Sequence, residues 1–232
     1  YNIPVISMKK NVSKTYTSYT DDFVTSNNQN YELKDNYKWL NNNIFYKIIS
    51  SLLYFLSYLV ALIYSKLILR VTFKNKEVLR GYKGYYLFGN HTQMIGDALN
   101  PLLLTFPKKN YIVASTANLG IPILGKILPF VGALPIPRKI HEKEALFTAM
   151  HTLVQTHSIT IYPEAHLWPY YTGGVSCQQG RLSYNMFYFE TFFFKMHILS
   201  SHGLHVFGND FVFLFYNSGT SIILHKYSQN VS

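Results

Sequence analysis

Cysteine is almost absent: Cys177 is the only one in 232 residues. That excludes an intramolecular disulfide framework and a cysteine metal cluster, and it fits a reducing, cytoplasmic setting. Acidic residues are scarce. Eleven Asp and Glu face 21 Lys and Arg, for a formal net charge of +10. Such an excess suits an anionic partner: nucleic acid, a membrane surface or a phosphate-bearing substrate. The cations cluster beside an apolar run and do not interleave with aromatics, which argues against nucleic acid. His197, His202 and His205 lack acidic neighbours and a recognised ligand spacing, so no metal site is expected from them. Proline is missing from the end of the chain, since all nine lie at or before Pro169.

Charge is also missing between Lys47 and Lys66, a gap of 18 residues from Ile48 to Ser65. That length reaches the lower limit for crossing a bilayer. Three serines and three tyrosines interrupt Ile48 to Tyr64, which suits a helix lying in the interface equally well. The run is too far from the start to be a signal peptide. It is followed by Lys66, Arg70, Lys74, Lys76, Arg80 and Lys83, against Glu77 alone. If the helix spans, this excess puts the following domain in the cytoplasm. If it lies flat, the same cations attract anionic lipid.

Four regions emerge. Residues 1–43 form a polar, Asn- and Ser-rich leader expected to be flexible. Residues 44–70 hold the apolar, membrane-associating helix. Residues 71–173 alternate strands and helices. Residues 174–232 form an aromatic-rich tail. In the third region, Tyr85 to Phe88, Tyr111 to Ala114 and Ser158 to Tyr162 read as buried strands. A kinked helix is expected from Ala98 to Phe106 around Pro101. The Gly120 to Phe130 segment is apolar, either core or lipid-facing. Ala145, Leu146, Ala149, Met150, Leu153 and Val154 share one face of a helix over 141–156. The alternation predicts an α/β fold, a mixed sheet flanked by helices. Sites in such folds gather where strands end in loops, and here those ends carry His91, Arg138 and Glu164.

His91 leaves the end of the Tyr85 to Phe88 strand, and Asp97 follows six positions later. An imidazole titrates near neutral pH, and a carboxylate can hold one ring nitrogen protonated so that the other accepts. The pair is the minimum apparatus for taking a proton from a hydroxyl.

Three stretches in order resemble the glycerophosphate and lysophosphatidate acyltransferase family over roughly residues 84–173. Asn90-His91 with Asp97 is similar to its first motif. Val131 to Arg138 is similar to its second, which ends in arginine. Ile161-Tyr162-Pro163-Glu164-Ala165-His166 holds the place of its third. The resemblance implies a glycerophosphate acyltransferase-like fold and transfer of a fatty acyl group from an acyl thioester to a lysophospholipid hydroxyl. The donor would be acyl-CoA or acyl carrier protein, the acceptor 1-acyl-sn-glycerol 3-phosphate, and no cofactor is implied. It implies His91 and Asp97 as catalytic, with Asn90, Arg138, Glu164 and His166 binding substrate. Its setting would be a membrane, with the catalytic domain on the cytoplasmic side.

The chain departs from the family in three ways. Five residues separate His91 from Asp97 where the family has four. Ala165-His166 replaces Gly-Thr-Arg. The proline-bearing fourth motif is missing. Beyond Gly173 only Arg181, Glu190, Lys195, Asp210 and Lys226 carry charge, while Phe and Tyr crowd together. The hypothesis is a frameshift near Gly173 that leaves the catalytic domain incomplete; a divergent membrane-associating tail is the other reading. A proline-containing apolar motif in the neighbouring frame would support the first, and stop codons there would sink it. The alternative to an enzyme is an inactive or truncated membrane-associated member of the family.

Overall fold

The computed structural model describes residues 28, 30–89, 91, 93, 95–162, 210–217 and 221–228, the last two segments as backbone, and residues 140 and 141 without side chains. Helix α1 runs from Ile44 to Ala61 and continues as a wider coil over Leu62–Ile68. Asn43 starts it: its side-chain oxygen accepts from the backbone N–H of Phe45 at 2.8 Å, satisfying a donor the first turn leaves open. Then come β1 (Thr72–Lys74), β2 (Tyr85–Gly89), α2 (Gly96–Thr105), β3 (Asn110–Ser115) and α3 (Leu124–Val131). They are followed by β4 (Ala133–Ile136), α4 (Ile140–Val154), β5 (Ser158–Ile161), β6 (Asp210–Asn217) and β7 (Ser221–Ser228).

These strands form one sheet in the order β1-β7-β6-β2-β5-β3-β4. Strands β2, β5, β3 and β4 are mutually parallel. β6 adds to β2 in parallel on the other side, and β7 pairs antiparallel with β6. The architecture is α/β. β6 and β7 lie in the aromatic-rich tail, where the sequence shows no strand period.

β2 is buried along its whole length, as expected of a parallel strand covered on both faces. Its side chains alternate between two cores. Tyr86 and Phe88 pack with Leu134, Leu146, Met150 and Ile159, on the α4 side. Tyr85 and Leu87 pack with Val71 and Leu104, on the α2 side. A third cluster joins Tyr54 and Ala61 of α1 to Leu102 and Leu103 of α2. The α4 face is as read from its period except at Ala145, which is exposed while Leu146, Ala149 and Met150 are buried. The end of the polar leader is pinned to this core. Trp39 donates its ring N–H to the Pro135 carbonyl at 3.0 Å, and Leu40 packs beside it.

Buried polar groups tie the layers together. The Asn110 side-chain oxygen accepts from Ser158 Oγ at 2.9 Å and from Thr160 Oγ1 at 3.0 Å. Its backbone N–H donates to Tyr54 Oη at 2.8 Å. One asparagine therefore ties β3 to β5 and to α1. Lys109 Nζ donates to Ser50 Oγ at 2.6 Å and to the Phe130 carbonyl at 2.8 Å, joining α1 to the C-terminal end of α3. Gly132 ends α3 at φ 105, a left-handed cap that favours glycine.

Candidate functional site

His91 and Asp97 come together. His91 follows the C-terminal end of β2, the central strand, and Asp97 lies in the first turn of α2. Nδ1 of His91 is 2.6 Å from Oδ2 of Asp97. The Asp97 N–H bonds back to the Gln93 carbonyl at 3.0 Å. The same carboxylate oxygen also accepts from the Gln93 backbone N–H at 2.9 Å. A carboxylate at a helix N-terminus is further favoured by the helix dipole.

Burial divides the pair's roles. The Asp97 side chain is 2% exposed and that of His91 29%. An ionised carboxylate only accepts, so it makes Nδ1 the donor and puts the acceptor lone pair on Nε2. Asp97 is held from a second direction. Tyr162 Oη donates to the Asp97 backbone carbonyl at 2.6 Å, and the Tyr162 ring stacks on His91 with centroids 5.1 Å apart. Farther out, Asn100 Nδ2 donates to Gln93 Oε1 at 3.3 Å.

Tyr162 and Gln93 were not singled out in the sequence. The register accounts for Tyr162: Phe88 is paired with Ile161, so the residue just after β5 stands beside the exit of β2. For Gln93 the contact is made by its backbone, and residue type carries no signal for that.

Arg138 follows β4 and is exposed. It shares the C-terminal edge of the parallel strands with His91 but stands three strands away, roughly 14 Å by the usual strand spacing. Asn90, Glu164 and His166 lie outside the described residues. The edge itself is apolar, with Ile95, Ile123, Leu124 and Ile136 all exposed. Among the described residues no group of three or more His, Cys, Asp or Glu could hold a metal ion.

Comparison with family models, with curated proteins and with solved structures finds no match to this chain.

Proposed function

We propose that the chain is an O-acyltransferase that moves a fatty acyl group from an acyl thioester to the hydroxyl of a lysophospholipid at a membrane surface. The observation that carries this reading is the His91–Asp97 pair at the exit of a buried parallel strand, on an edge that also exposes apolar side chains. The acceptor oxygen attacks the thioester carbonyl carbon while His91 Nε2 takes its proton. The tetrahedral intermediate collapses, the C–S bond breaks, and the imidazolium returns the proton to the departing thiolate. An ester and a free thiol result. The thioester is already activated, so no acyl-enzyme is needed. A positioned base contributes roughly 10²–10⁴-fold, and buried Asp97 steadies the imidazolium.

In this reading Arg138 grips the acceptor's phosphate, which a guanidinium can do in bidentate fashion. Glu164 hydrogen-bonds acceptor hydroxyls or fixes Arg138, and His166 is a second, weaker phosphate contact. Exposed Ile123 and Leu124 meet the acyl chain. One helix, Ile44–Ile68, is long and apolar enough to cross a membrane; here it holds the domain at the lipid surface on the cytoplasmic side. The test is thiol release from palmitoyl-CoA and from palmitoyl acyl carrier protein, with and without 1-acyl-sn-glycerol 3-phosphate. Release that depends on the lysolipid and yields phosphatidic acid supports the reading. A fully folded chain that releases no thiol above background favours the inactive member instead.

A further inference from the structure

Helix α1 is turned inside out. Its polar side faces the protein: Ser50, Tyr54 and Ser65 are buried, together with the small Ala61. Its apolar side faces outward, with Ile48 59%, Leu52 59%, Phe55 46%, Leu59 38%, Ile63 54% and Leu67 71% exposed. A water-soluble helix places its faces the other way. An exposed apolar face this long marks an interaction surface.

The contacts along α1 decide how that surface meets its partner. Tyr46 Oη donates to the Pro129 carbonyl at 3.0 Å. Two turns on, Tyr54 Oη accepts from Asn110 N–H at 2.8 Å. The Tyr58 ring stacks on Phe106 at 3.8 Å, and Ala61 packs with Leu102 and Leu103. The helix is therefore docked on the domain from its first turn past its middle. Were it to cross a bilayer in this arrangement, Lys108, Lys109 and the start of β3 would be drawn into hydrocarbon. Charged side chains and open sheet ends are not tolerated there.

We infer that α1 lies in the plane of one leaflet of an anionic phospholipid membrane, with its outward face in the lipid, and does not span it. The inference rests on the membrane part of the proposed function and not on its chemistry. Charge on the same part of the chain fits anionic headgroups. Lys47, Lys66, Arg70, Lys74, Lys76 and Lys126 are all exposed, and Glu77 is the only acid from 66 to 83. At the start of α3, Ile123 is 77% exposed and Leu124 48% exposed. Ile123 also sits at φ 63, a costly conformation for a β-branched residue. Among the described side chains, α4 exposes no large hydrophobic, so the opposite side of the sheet faces water.

The test uses the full chain in a Cys177→Ser background, with a spin label on one new cysteine at a time, replacing Ile48, Leu52, Leu59 or Ile63. Each variant is bound to phosphatidylcholine–phosphatidylglycerol vesicles, and accessibility to oxygen and to a nickel chelate reports depth. The inference expects all four labels at one depth, about 5–10 Å below the headgroups. A label replacing Thr152 on α4 should stay in water. A spanning helix would set the Ile48 and Ile63 labels roughly 22 Å apart in depth, which overturns the inference and leaves membrane association standing. Replacing exposed Leu52 and Leu59 by Glu should abolish vesicle flotation with an unchanged melting curve. Failure of the unsubstituted chain to float, or a dimer that ignores vesicles, overturns the inference and the membrane part of the proposed function together. Lysolipid-dependent thiol release from detergent-dispersed substrate would still stand on its own.

Discussion

His91 Nδ1 and Asp97 Oδ2 lie 2.6 Å apart across five intervening residues. Asp97 is presented by the first turn of α2 and steadied by the Gln93 N–H. Asp97→Asn keeps an acceptor for Nδ1 but removes the charge that favours the imidazolium. The expected loss in kcat is about tenfold, near 1.4 kcal/mol of barrier, with little change in KM. Steady-state kinetics checks this; a variant at the wild-type rate would detach Asp97 from the chemistry.

Tyr162 restrains the pair from the neighbouring strand. Tyr162→Phe keeps the ring on His91 and deletes the hydrogen bond to the Asp97 carbonyl, a contact worth about 0.5–1.5 kcal/mol. The expected result is a severalfold lower kcat at unchanged KM. Tyr162→Ala should fall further, because the stack goes too. Equal rates for wild type, Phe and Ala would make the contact incidental.

Arg138 stands apart from the pair, so its loss should act on binding and not on proton transfer. Arg138→Ala is expected to raise the acceptor's KM more than the thioester's, because an anionic phosphate needs a fixed cation. An equal effect on both substrates would assign Arg138 a structural role.

Much of the fold was legible before the structure. The runs at Tyr85, Tyr111 and Ser158 became adjacent parallel strands. The His91–Asp97 pair was legible as an imidazole and a carboxylate six positions apart at a strand exit, and the structure brings the two into contact. What escaped is instructive. β1 is three residues long, too short for any period to register. Ala145 matched the α4 stripe but sits at its margin, where a methyl group gains little from burial. Which face of α1 would be buried was also hidden. Counting apolar residues makes the helix look uniform, and Ser50, Tyr54, Ser57 and Tyr58, three or four positions apart, mark the protein side while Ser51 is exposed.

Lys109 gives a prediction about stability. Burial lowers its pKa from 10.5 to about 8. Between those values the unfolded chain holds more protons than the folded one, so the Lys109 contribution to stability rises with pH through that window. Below about pH 8 the ammonium is charged in both states and its burial costs the same at every pH. Lys109→Met should therefore flatten the rise seen in wild type. Urea midpoints at the two ends of the window check it; parallel curves for both proteins would remove Lys109 from the pH dependence.

The central claim is that His91 is the base for acyl transfer, and the most direct measurement is lysolipid-dependent thiol release by His91→Ala set against the unsubstituted chain, both bound to the same vesicles. The account predicts a loss of about 10²–10⁴-fold with vesicle binding unchanged. Retention of more than roughly a tenth of the rate, beyond what loss of a base allows, would contradict it.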